Sequence, residues 1–126
     1  WLTIAENNLK TANILTKSEE LVSDSICFHC QQAVEKYLKA FLVFHQKDFR
    51  KTHIIAELLK LCIDIDDSFS ALKDLNIQSL SIYAIEIRYP DDFYIPTIEE
   101  AKEAISLAEK TKEFVVDRLK EKGLEL

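Results

Sequence analysis

The feature that most limits what this chain can fold into is its single glycine, Gly123, three residues from the end of 126. Sandwiches, barrels and dinucleotide folds use glycine where the backbone must enter the left-handed region or approach a phosphate closely. A chain without interior glycine has almost no means of building such turns, and helices joined by few breaks are what remain. The other counts agree. Apolar residues make up 48% and charged residues 30%, with a net charge of −6, so the chain is too apolar for a disordered segment. At this length it can bury roughly two-thirds of its unfolded surface around one core. One helical domain over residues 1–126 is therefore expected.

Several function classes are disfavoured by what is missing. No apolar run reaches the roughly 18 residues of a membrane span, and nothing resembles a signal peptide. Three cysteines cannot pair off into a disulfide framework and suit a reducing, cytoplasmic setting. The acidic balance argues against a general nucleic-acid coat, although a local basic patch stays open. The sequence begins Trp1-Leu2-Thr3 and contains no Met, so an upstream segment is expected. There is no Walker loop, GxGxxG, His-Glu-x-x-His or Ser-His-Asp order.

Hydrophobic spacing predicts the elements. Leu2, Ala5, Leu9, Ala12 and Thr16 recur at three and four residues, one face of a helix over residues 1–16. After a polar break at Ser18–Ser23, a long helix is predicted from about Asp24 to His45, capped by Ser23 or Asp24. Its stripe of Ile26, Cys30, Ala33, Tyr37, Ala40 or Phe41, and Phe44 is widened by Phe28, Val34, Leu38 and Leu42, as for a central helix packed on more than one side. Thr52 is expected to cap a third helix from His53 to about Cys62, followed by a loop at Asp64–Ser68 and a short helical turn carrying Phe69, Leu72 and Leu75. A fourth helix is expected from Asn76 until Pro90 stops it. Thr97-Ile98-Glu99-Glu100 reads as a capping box for a fifth, ending near Lys122, with Gly123 at the C-cap. The fold class is all-α, an antiparallel up-and-down bundle of four to five helices.

Four groups can carry chemistry. Cys27 and Cys30 have a metal-ligand spacing, but they lie inside a helix without a second pair nearby, so core packing is the plainer reading and no metal is expected. His29, Gln32, Lys36 and Lys39 line one side of the second helix, with Glu35 four residues before Lys39. They form either a solvated face with an ordinary ion pair or adjacent cations that read a phosphate. His53, in Lys51-Thr52-His53, sits where an anion meets a helix start, or is an ordinary first-turn histidine. Tyr83, Glu86, Arg88, Tyr89, Asp91 and Asp92 crowd a helix end against Pro90. There Arg88 can bind a phosphate bidentately or pair with a neighbouring carboxylate.

The run Cys27-Phe28-His29-Cys30-Gln31-Gln32-Ala33-Val34-Glu35-Lys36-Tyr37-Leu38-Lys39-Ala40 resembles the second helix of HEPN domains, the "higher eukaryotes and prokaryotes nucleotide-binding" family. Lys51-Thr52-His53 resembles the start of that family's third helix. Tyr83-Ala84-Ile85-Glu86-Ile87-Arg88-Tyr89-Pro90-Asp91 resembles the end of its next long helix. The resemblance implies a helical bundle, often a homodimer, commonly encoded beside a minimal nucleotidyltransferase in toxin–antitoxin pairs. Other members are metal-independent ribonucleases with an Arg, four to six residues and a His. After Arg88 those positions hold Phe93, Tyr94 and Ile95, and no His follows. Tyrosine, with a reference pKa around 10, is a poor proton acceptor near neutrality.

The reading that results is a non-catalytic domain of the Tyr-Pro type, with no cofactor and no catalytic residue. It would bind a nucleotide or substrate for a nucleotidyltransferase partner, or regulate that partner. Arg88, Lys36, His53, Glu86 and Tyr89 form the nucleotide or phosphate site. A degenerate ribonuclease acting on RNA and a dimerisation scaffold without small ligand are the alternatives.

Overall fold

The computed structural model describes residues 1–18, 22–84 and 95–125. Helix α1 spans Leu2–Thr16 and α2 spans Ser23–Phe44. Helix α3 spans Ile55–Ile65, α4 is a single turn at Ser70–Asp74, and α5 spans Ile98–Glu121. Two 3-10 segments, Asp67–Phe69 and Ile77–Tyr83, complete the elements, and no strand occurs among the described residues.

Helix α2 is the axis of the core, packed against α1, α3, α5 and the 3-10 segment at Ile77–Tyr83. Its predicted stripe is buried from Ile26 to Leu42 except for Phe28, which is half-buried, and Phe44 at the end is partly exposed. Helix α1 runs antiparallel to it, since Trp1 reaches Lys39 while Asn8 reaches His29. Ala5, Leu9 and Ala12 are the buried side of α1, as the three-four spacing predicts. Phe69 lies 4.3 Å from Phe41 and 4.9 Å edge-on from Phe114, measured between ring centroids, which ties α2, the first 3-10 turn and α5 together. Tilted and edge-on aromatic pairs add roughly 0.5–1.5 kcal/mol each beyond their burial.

The ends of the helices show where short-range chemistry acts alone. At α5 the capping box forms: Thr97 Oγ1 accepts from the Glu100 N–H at 3.1 Å, and Glu100 Oε1 accepts from the Thr97 N–H at 3.2 Å. The other end of α5 closes on Gly123 at φ 98°, with the Leu124 N–H bonded to the Leu119 carbonyl and the Gly123 N–H to Lys120. That is the glycine-terminated pattern, and it uses the chain's one glycine.

Elsewhere tertiary partners override the predicted caps. Neither Ser23 nor Asp24 caps α2. The helix begins after Val22, and the Ser23 hydroxyl donates instead to the Pro96 carbonyl at 2.6 Å. Helix α3 starts at Ile55 rather than His53. Thr52 Oγ1 accepts from the Ile54 N–H ahead of the helix, and the Ile55 N–H is taken by Ser81 Oγ at 3.0 Å. The same helix continues past Cys62 to Ile65. Part of the expected Asp64–Ser68 loop is therefore helix, and Asp66 caps the 3-10 turn by accepting from Ser68.

The largest correction concerns the fourth helix. Asn76, where that helix is expected to begin, is in the left-handed region at φ 65°, so no regular helix includes it. The residues after it, Ile77–Tyr83, form a 3-10 segment instead. The stretch from Ile85 towards Pro90, where the expected helix ends, lies outside the described residues.

Candidate functional site

The second helix brings a carboxylate into the interior. Gln31, Glu35 and Lys39 are spaced four apart, so they stack along one side of α2, and all three are buried. The Glu35 side chain is fully enclosed and accepts four hydrogen bonds. Oε1 accepts from His53 Nδ1 at 2.8 Å and Gln31 Nε2 at 3.2 Å. Oε2 accepts from Lys36 Nζ at 2.5 Å and Lys39 Nζ at 2.9 Å. Gln31 Nε2 also donates to the His53 carbonyl at 3.3 Å, and Gln31 Oε1 accepts from Gln32 Nε2 at 2.7 Å. One amide thus ties the segment carrying His53 to the helix.

Burial by itself would push the Glu35 carboxyl up. The hydrogen bonds from Lys36, His53 and Lys39 outweigh that cost and hold it at about 2. Glu35 is therefore ionised wherever the protein is folded near neutral pH. An ionised carboxylate only accepts, so His53 Nδ1 must carry its proton. Its side chain is 58% exposed, and Nε2 has no partner among the described residues.

Two ammonium groups share this one carboxylate, which leaves one positive charge over before His53 is counted. That charge is nearly closed off, since Lys39 is 5% exposed. It is spread over aromatic faces. Lys39 Nζ lies 5.3 Å from the Trp1 ring centroid and 5.8 Å from that of Phe49, and Lys36 Nζ lies 5.8 Å from Trp1. Trp1 in turn meets Phe49 edge-on at 6.3 Å.

Of the five residues expected to form the site, Lys36 and His53 are brought together, both on Glu35. Arg88, Glu86 and Tyr89 lie outside the described residues, as do Asp91 and Asp92. The polar side of α2 is not the solvated face that the plainer reading expects. Lys39 is buried, Lys36 is turned to Glu35, and His29 Nδ1 is 2.8 Å from Asn8 Oδ1 on α1. His53 precedes α3 instead of opening it, so the helix N-terminus is not what holds it. Tyr83 donates to Glu100 Oε2 at 3.0 Å, across to α5. Lys39 and Glu35 are weighed on the candidate side of α2 but not among those five, and Gln31, Trp1 and Phe49 are not singled out. The one visible signal among these residues is the Glu35-to-Lys39 spacing, which marks an ion pair but not its burial.

The cysteines belong to the core. Cys27, Cys30 and Cys62 are unpaired and fully buried. Burial pushes all three thiols up, Cys27 to about 11, so they stay protonated and unreactive near neutral pH. Among the described residues no group of three or more His, Cys, Asp or Glu is arranged to hold a metal ion. No helix among them is long and apolar enough to cross a membrane.

Comparison with known proteins agrees with this architecture. A protein of Methanocaldococcus jannaschii named "Putative toxin MJ1304" is 34% identical over 133 residues, covering 94% of this chain and 85% of that protein. No solved structure matches. Residues 1–121 match the HEPN domain, a span that takes in α1 to α5, and the chain belongs to the HEPN domain family.

Proposed function

We propose that this chain is one member of a toxin–antitoxin-like pair. In this reading it works in the cytoplasm as a single-domain homodimer beside a separately encoded minimal nucleotidyltransferase. It binds a nucleotide or other phosphate-bearing substrate for that partner, or regulates it, and does not itself carry out the chemistry. The name of the archaeal relative supports the toxin-like half of the reading.

The observation that carries the binding half is the cluster on Glu35. Lys36, Lys39 and His53 converge on one buried carboxylate and leave a net positive charge in an acidic protein. Such a charge draws an anion to one place without making the whole surface basic. Ser81, seven residues before Arg88 in the sequence, bonds the backbone two residues from His53. Arg88 supplies a bidentate phosphate contact, Glu86 orients it, and Tyr89 stacks on a base or packs at the dimer seam. With one glycine in the chain, at Gly123, side chains rather than a backbone loop do the holding.

Calorimetric and thermal-shift titration with ATP tests this. Wild type is expected to bind and melt higher, and both responses are expected to fall in Arg88→Ala and His53→Ala. An unchanged response in Arg88→Ala removes that residue from the site, and no response in wild type ends the binding reading. Chelator-resistant cleavage of labelled RNA, lost in His53→Ala, would replace it with the ribonuclease reading. Light scattering, and co-purification with the nucleotidyltransferase encoded next to the gene, test the assembly.

A further inference from the structure

The charge count at the Glu35 cluster selects among phosphate ligands. Lys36 and Lys39 against Glu35 leave one positive charge. His53 bonds to the opposite carboxylate oxygen from the two lysines and can add a second on protonation. Its ring is held by Nδ1, its backbone carbonyl is held by Gln31, and Nε2 has no partner among the described residues. Several elements pack around this histidine. From α2 come Glu35 and Gln31, with Lys36 and Lys39 on the far oxygen. From the start of the chain Trp1 covers the lysines, and from the 3-10 segment Ser81 takes the neighbouring Ile55 N–H. On α3, Glu57 is engaged by Arg50.

We propose that this cluster recognises a terminal phosphate in its doubly charged form, and that binding adds a proton to His53 Nε2. This rests on the phosphate-binding reading and narrows its ligand class to phosphomonoesters and nucleotide ends, excluding internal phosphodiesters. A terminal phosphate carries close to two negative charges above its second ionisation near pH 6. The lysine surplus and an imidazolium together carry two positive ones, and the charges of Arg88 and Glu86, which the proposed function adds to the site, cancel. A diester carries one charge and leaves the imidazolium unmatched. The anion and the Glu35 carboxylate then flank the ring, each favouring the protonated form. The proton that His53 Nε2 gains is drawn from solvent on binding.

The test is calorimetric titration with AMP and with 3′,5′-cyclic AMP, a singly charged diester, in two buffers of different ionisation enthalpy. For wild type at pH 7.5, close to one proton is expected to be taken up per AMP bound. Affinity is expected to fall by up to about tenfold between pH 7.5 and 8.5, where the phosphate charge no longer changes. Cyclic AMP is expected to bind at least about tenfold more weakly than AMP, one matched charge being lost. His53→Gln, at an exposed position and checked by its thermal melt, is expected to abolish proton uptake and flatten the pH profile. Proton uptake that persists in His53→Gln, or equal affinity for AMP and cyclic AMP, overturns the proposal. AMP binding that is lost in Arg88→Ala but shows no proton uptake overturns it while leaving the proposed function standing. No AMP binding overturns both.

Discussion

Two ion-paired glutamates in this chain differ most in where the fold puts them. Glu57 is paired with Arg50 by two hydrogen bonds, Nε at 2.5 Å and Nη2 at 2.8 Å, on a largely exposed surface. Glu35 is paired with Lys36, Lys39 and His53 inside the protein. Arg50 holds the Glu57 carboxyl somewhat below the usual range through its hydrogen bonds. The donors around Glu35 must first overcome burial, and still hold it at about 2. Good geometry alone does not make a pair matter. At the surface water competes for both partners, whereas inside, an ion that loses its partners has nothing to replace them.

The largest expected effect comes from removing the buried carboxylate. Glu35→Gln leaves two nearly enclosed ammonium groups without a counter-charge, and is expected to cost about 3–5 kcal/mol in urea unfolding. A loss no larger than that of an exposed pair would erase the difference between the two sites.

Acid titration sharpens the same contrast. The Glu35 carboxyl sits near 4.5 as a free group and at about 2 in the fold, so the unfolded chain takes up the proton first. Its contribution is fully present above about pH 5 and is lost as pH falls towards 2. That contribution is on the order of 3 kcal/mol. The gap in stability between wild type and Glu35→Gln is expected to close over that window, and a gap that stays constant with pH would refute the assignment.

Smaller effects are expected at the exposed partners. His53→Asn keeps an N–H donor at the place of Nδ1, within reach of Oε1, at an exposed position, and is expected to cost about 1 kcal/mol or less in the same unfolding measurement. Arg50→Ala is expected to leave the unfolding midpoint unchanged at 0.15 M salt, where exposed charges are screened. A clear drop in the midpoint would mean that the surface pair contributes like the buried one.

The sequence carries the helix ends that need only neighbours. The Thr97–Glu100 box and the Gly123 terminus form as expected, because each closes within one helical turn. The apolar sides of α1 and α2 are equally visible, since three-four spacing decides which residues can share a core. Ser23 and Thr52 depart from expectation because a hydroxyl bonds whatever donor or acceptor the fold brings nearest. For Ser23 that is Pro96, 73 residues away. Asn76 departs from it because the apolar spacing of Ile77, Leu80 and Ala84 does not show that the backbone before them turns left-handed.

The site divides along the same line. Lys36 and His53 are visible as residue types that suit an anion, and Glu35 to Lys39 as a helical ion pair. Nothing in the spacing of Gln31, Glu35 and Lys39 says that Trp1, Phe49 and His53 come over this stripe and that it is closed off from water. The residue pattern by itself determined an all-helical chain, its long helices and the caps of α5, because those depend on interactions one turn apart. Only the tertiary structure decided that a polar stripe became a buried charge cluster and that His53, eighteen residues on, closes it. That outcome depends on which segments exclude water from Glu35, a property of the packed protein that no single helix contains.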